Sequence, residues 1–233
     1  MYSVVMSAPE EADLLDANSW TMSSKAVIPD EMATLAHVGW LEGNMIVRRL
    51  DGKVFNILRT HGITDEIASI YEVSADGKTA MLDSQNMFIR MPGACKKFYI
   101  VYDDKTATYY AASNWTLERD RGKVGNCPHP IKAERTRNTL ALSRSKNLID
   151  WEVYTVLLHD DDVDHAGFQY PTIAIDGDDL LSVSRTAYPD GIGKADSQHN
   201  SNFITFHRVK NFRHRTFDSE PLNGAIAPIF YPY

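Results

Sequence analysis

The 233 residues carry 43% hydrophobic and 24% charged side chains, an ordinary globular balance that excludes a disordered chain. The net charge is −7, and Lys and Arg are scattered among Asp and Glu with no basic stripe, so nucleic acid is excluded as the expected partner. No apolar run approaches the roughly 20 residues of a membrane span, and the first 15 residues lack the basic start and long apolar stretch of a signal peptide, so no membrane partner is expected.

Helical periodicity is almost absent from the sequence. Short runs of alternating apolar residues closed by Asp-Gly and related turns predict β-hairpins instead. The segment 1–25 reads as the outer half of a four-stranded unit. Residues 44–50 and 53–59 form a hairpin around Asp51-Gly52, and 67–73 and 78–82 a second around Asp76-Gly77. Further hairpins are expected from 97–102 with 108–113, 138–143 with 151–158, and 168–175 with 180–185, and another begins at 203–209. Taken in pairs these give units at about 40–83, 96–158 and 167–217 after the partial unit 1–25, all within a single domain.

Turn motifs recur at the last hairpin of each unit: Asp13-Leu14-Leu15 before Trp20, Ser74-Ala75-Asp76-Gly77, Ser145-Lys146-Asn147-Leu148 before Trp151, and Lys210-Asn211-Phe212. The expected fold class is therefore all-β, a β-propeller of four-stranded antiparallel blades, with about three blades and a leading half blade present. A β-sandwich would also give many short strands, but not Trp-containing turns at this interval. Closed rings typically have four to eight blades. The expectation is thus an incomplete ring from a longer protein; the alternatives are self-association of two copies to complete the propeller, or an unusually small ring.

In a propeller the inner strands of successive blades bring distant residues to one rim. Starts of first strands place Glu42, Lys96 and Lys97, and Asp164, His165, Gln169 and Tyr170 there; ends of second strands add Arg59, Asn114 and Arg185; starts of third strands add Arg137 with Asn138 and His199 with Asn202. Guanidinium groups hold carboxylates bidentately, so such a mouth suits an acidic sugar. The plain readings are strand-end caps for Arg59 and Arg185, a solubilising pair for Lys96 and Lys97, and core aromatics for Phe168 and Tyr170. The acidic stretch 160–164 beside His165 lacks the pattern of a calcium loop, and no metal or cofactor is expected. Cys95 and Cys127 are too few for a disulfide framework, lack metal-site spacing, and read as unpaired thiols.

Seven stretches carry a family resemblance: Ser7-Ala8-Pro9 with Ala12-Asp13-Leu14-Leu15, Leu41-Glu42-Gly43-Asn44, Asn56-Ile57-Leu58-Arg59, 137–142, 165–170, 184–188, and Phe206-His207-Arg208. At these the chain resembles bacterial sialidase-like proteins with neuraminidase-type repeats, over nearly its whole length. The resemblance implies a carboxy-terminal portion of a longer propeller. It also implies a Tyr nucleophile activated by a Glu, an arginine clamp on the substrate carboxylate, and an acid/base Asp in earlier blades. Glu42 and Tyr170 take the Glu and Tyr roles by type, and Arg59, Arg137 and Arg185 the clamp.

The expected function is an exo-acting glycoside hydrolase, or part of one, with Glu42, His165 and Tyr170 as catalytic candidates. Arg59, Lys97, Asn114, Arg137, Asn138, Gln169, Arg185, His199 and Asn202 are the candidates for binding a glycan. The alternatives are a non-catalytic carbohydrate-binding propeller and a polysaccharide lyase using His165 or Tyr170 as base. An extracellular or periplasmic location is expected if the full-length protein carries an export signal.

Overall fold

The computed structural model describes residues 2–30, 39–61, 66–83, 86–122 and 132–222. The chain divides into two compact units, one of residues 1–63 and 67–89, the other of residues 64–66 and 90–233. Both are all-β, and their antiparallel meanders are sheets of the propeller-blade kind. Helical turns are short 3₁₀ segments of three residues, and no helix among the described residues is long and apolar enough to cross a membrane.

The first unit opens with a ribbon in which β1 (Tyr2–Ser3) pairs with β4 (Ala26–Val27) and β2 (Met6–Ser7) with β3 (Thr21–Met22). Between these pairs, Val5 N–H donates to Ser23 Oγ and Ser23 N–H to Val5 O, at 3.0 and 2.9 Å, so the ribbon continues through the gap. The predicted turn closes it: Asp13 Oδ1 accepts Leu15 N–H, Asp16 caps Ala17–Ser19, and Trp20 Nε1 donates to Leu14 O at 3.1 Å. A larger sheet follows in the order β5 (Gly39–Val47), β6 (Val54–His61), β7 (Ile67–Val73), β8 (Ala80–Met81), with β9 (Phe88–Arg90) also along β7. Gly52, at φ 72°, supplies the left-handed residue that the β5–β6 hairpin requires. Val5, Trp40, Leu58, Tyr71, Val73 and Met87 form the core of this unit.

The second unit holds two sheets. One is the meander β10 (Tyr99–Asp103), β11 (Thr108–Asn114), β12 (Thr139–Ser145), β13 (Glu152–His159); the other is β14 (Gly167–Asp176), β15 (Asp179–Ala187), β16 (Phe203–Val209). Alternation puts Phe168, Ile173, Leu180 and Val209 of the second sheet against Leu140, Leu142 and Tyr154 of the first, all buried. Each aliphatic side chain so covered contributes about 1.5–3 kcal/mol. The second sheet has three strands among the described residues where a blade has four. After β16 the 3₁₀ turn Phe212–His214 buries Phe212 in the same core, and the chain then returns along β13. Arg215 Nη2 donates to Val156 O, and Leu222 N–H to Leu157 O at 2.8 Å, which holds it there.

The Ser145–Trp151 turn repeats the logic of the Asp13–Trp20 turn. Asn147 Oδ1 accepts the N–H groups of Ile149 and Asp150, Ser145 Oγ accepts Leu148 N–H, and Trp151 Nε1 donates to Leu148 O at 2.9 Å. In Ser74–Thr79, Asp76 accepts Ser74 Oγ–H and Lys78 N–H. Cys95 is a buried cysteine outside any disulfide among the described residues; Cys127 lies outside the described residues.

Candidate functional site

In the first unit Glu42 lies at the irregularity where β5 and β6 shift register between Trp40 and Gly43. Its Oε2 accepts from Arg59 Nη1 at 3.1 Å, with the Arg59 side chain buried and that of Glu42 37% exposed. Arg59, expected to clamp a ligand, is thus already an ion-pair partner of the other candidate in its unit.

In the second unit three of the expected residues, Arg137, Arg185 and His199, converge on a fourth, Gln169, which is 1% exposed. Its Oε1 accepts from Arg137 Nη1 and from Arg185 Nη2, the latter at 3.0 Å. Its Nε2 donates to Gln198 O, to His199 O at 3.2 Å and to Ser201 Oγ at 3.2 Å. Arg185 Nη2 also donates to His199 O at 3.1 Å, and Arg137 Nη2 to Glu134 O at 3.4 Å. Two guanidinium groups therefore share one neutral amide oxygen. Among the described residues no carboxylate ion-pairs with Arg185, and its Nε is buried with no hydrogen-bond partner. Burial, followed by the charges of Arg137 and Arg185, holds the His199 imidazole below its ordinary 6.5, against a hydrogen bond accepted by the Asn200 side chain that raises it. Two cationic groups thus stand side by side in a chain whose net charge is −7.

Backbone geometry builds this cluster. A register shift falls in β14 between Gln169 and Thr172, and Tyr170 within it sits at φ 49°, left-handed space that side chains other than Gly rarely enter. The shift turns Gln169 inward, while Tyr170 is 37% exposed with the Arg185 guanidinium 4.8 Å over its ring. Gly167 is needed too: a Cβ there would collide with Gln198 O, whose loop supplies the carbonyls around Gln169.

The remaining expected residues have other settings. Asn114 is buried, and its Nδ2 donates to Arg137 O, Thr139 O and Phe168 O at 3.1, 3.1 and 2.7 Å, joining the two sheets. Asn138 Nδ2 donates to Asp120 Oδ2 and Asp160 O. Asn202 links its loop to Tyr188 through both backbone groups of that residue. Lys97 lies with its ammonium 5.9 Å from the Phe98 ring, and Lys96 is buried, donating to Thr116 Oγ1 and Ala133 O. His165 Nδ1 pairs with Asp162 at 3.0 Å, and Lys194 Nζ also reaches that carboxylate at 2.6 Å. Burial pushes Asp162 up, but the hydrogen bonds from Lys194 and His165 outweigh it and bring the carboxyl to about 2. The acidic stretch is thereby a braced loop, and no cluster of potential metal ligands occurs among the described residues. Gln198 and Ser201 were not foreseen, because neither a loop residue bonded through its backbone carbonyl nor a single loop hydroxyl leaves a pattern in sequence.

No family model matches the sequence, and no curated protein matches it. Among solved structures the chain is similar to the α-L-arabinofuranosidase of Fusarium graminearum in complex with an iminosugar inhibitor, at 11% identity and TM-score 0.45, over 77% of this chain and 48% of that one. It is similar to the Penicillium chrysogenum α-L-arabinanase complexed with arabinobiose, at 11% identity and TM-score 0.43, over 74% and 46%. The leech intramolecular trans-sialidase complexed with 2,7-anhydro-Neu5Ac matches at 14% identity and TM-score 0.44, over 83% of this chain and 26% of that one. The chain spans about half or less of the length of these glycosidases.

Proposed function

We propose that this chain is the acidic-glycan-recognising part of a glycoside hydrolase of sialidase-like kind, with Arg137 and Arg185 gripping the carboxylate of the sugar. The observation that carries this reading is the pair of guanidinium groups meeting at Gln169 Oε1, one of them with no carboxylate partner among the described residues. A fixed pair of guanidinium groups offers parallel N–H donors to an incoming carboxylate, and its attraction strengthens where water is excluded. Tyr170 would stand at the reacting carbon: its phenol is exposed beside Arg185, and a neutral nucleophile is not repelled by the gripped carboxylate.

The test is a pair of substitutions assayed with sialyl and uronyl oligosaccharides on the full-length protein. Gln169→Glu places a carboxylate between the guanidinium groups and is expected to abolish acidic-glycan binding; it also sets an oxygen against Gln198 O and His199 O, so circular dichroism and unfolding accompany the binding assay. Tyr170→Phe is expected to abolish hydrolysis and leave binding within about threefold. Undiminished binding by Gln169→Glu refutes the grip. Binding without product release by the wild type refutes hydrolysis and favours the binding-only propeller.

A further inference from the structure

A groove of about 440 Å³ opens in the second unit, walled by Trp115, Leu117, Val156, Phe217 and Pro221. This size is at the small end of ligand pockets, about 300–1,000 Å³. Trp115 is positioned, not loose: its Nε1 donates to Glu66 Oε1 at 3.3 Å, and its ring meets Phe217 edge-on at 6.1 Å between centroids. Phe217 is 54% exposed, so an apolar wall faces solvent where nothing among the described residues covers it. At the end of β13, His159 is hydrogen-bonded at both ring nitrogens, with Thr139 Oγ1 at 2.8 Å and Asp161 at 3.0 Å, which closes that end.

The rim decides what the groove takes. Glu118, Asp218 and Glu220 supply carboxylates against the single guanidinium of Arg119. Glu118 is partly answered by Arg121 at 3.0 Å, and Arg119 faces Asp161 at 3.9 Å. An anionic ligand meets net repulsion, the reverse of the Arg137–Arg185 cluster. A purely hydrocarbon ligand would strip water from carboxylates and give nothing back. A pyranose ring satisfies both parts of the lining: its axial C–H face lies on the aromatic wall, while its hydroxyls donate to the rim carboxylates. We infer that this groove is a second carbohydrate site, for a neutral pyranose, chemically distinct from the acidic-glycan site. The inference shares with the proposed function only the premise that the ligand is a glycan.

Cellotetraose, a neutral probe with equatorial hydroxyls, tests it by tryptophan emission and titration calorimetry on the full-length protein, with tetragalacturonate as the acidic comparison. Cellotetraose is expected to bind and change the emission, and tetragalacturonate to bind at least tenfold more weakly in the Gln169→Glu variant, where the acidic site is closed. Trp115→Phe should remove the emission response, and Phe217→Ala, at an exposed position, should weaken binding about three- to tenfold. Gln169→Glu should leave cellotetraose binding unchanged, so failure of the acidic site and failure of the groove are read separately. Absence of cellotetraose binding, or binding indifferent to both aromatic substitutions, overturns the inference.

Discussion

Replacing Arg213 by Met should cost the second unit more stability than the length of one side chain suggests. Arg213 follows β16, and its Nε and Nη2 donate to Asp103 Oδ2 and Oδ1 at the end of β10, at 2.8 and 2.6 Å. Asp103 is 2% exposed. The Arg213 hydrogen bonds, opposed by burial and assisted by Thr106, bring the Asp103 carboxyl from 3.8 to about 2. That depression corresponds to roughly 2.5 kcal/mol at neutral pH. Because the folded value lies below the unfolded one, this contribution is complete well above pH 4 and is lost as pH falls through about 2. About half should remain at pH 3. Arg213→Met also leaves a buried carboxylate without a cationic partner and with Thr106 as its side-chain donor, so the total loss at pH 7 should reach about 3–5 kcal/mol. At roughly 2–4 °C per kcal/mol for a unit of this size, the melting temperature should fall by about 10 °C. The assay is urea and thermal unfolding followed by circular dichroism at pH 7 and pH 3, with Asp103→Asn/Arg213→Met as the variant that removes both charges and recovers part of the loss. A gap between wild type and Arg213→Met under about 1 kcal/mol at pH 7, or one equally large at pH 3, would refute the reasoning.

Two further predictions concern the cationic cluster. Arg185→Met should raise the pKa of the His199 imidazole toward its ordinary value, since one of the charges that depresses it is gone, and so should a bound acidic oligosaccharide. Histidine-resolved NMR titration reads both, and an unmoved titration shows that the ring does not sense the guanidinium groups. Gly167→Ala should push Gln198 O off Gln169, destabilise the second unit by about 1–3 kcal/mol and weaken acidic-glycan binding, whereas Gly193→Ala, with open space around it, should do neither. Chemical unfolding and calorimetric titration of the two variants compare them directly.

The strands were legible because period-two alternation and turn chemistry are local. The β5–β6 hairpin follows from Asp51-Gly52, and the Trp20 and Trp151 turns from side chains within a few residues of the groups they bond. Arg137, Gln169, Arg185 and His199 were nameable because equivalent strand ends return to one edge. What alternation does not encode is which polar side chain answers which. Arg59 and Arg185 look alike at the ends of β6 and β15, yet one meets Glu42 and the other Gln169. That distinction rests on the register shift at Tyr170 and on a loop some 30 residues downstream. That the last sheet stops at three strands among the described residues was likewise not readable, because the course of the chain after Phe212 depends on Arg215 finding the carbonyls of Val156 and Glu220.

The amide of Asn114 has a mechanical meaning for the second unit. Oily faces pressed together resist separation but not slippage, because dispersion forces have no preferred direction. Two amide hydrogens divided among three carbonyl oxygens from two layers behave as a detent: the layers click into one alignment and no neighbouring one. A rim assembled from both layers inherits that alignment, so the spacing of its charges is set by a residue that never touches solvent.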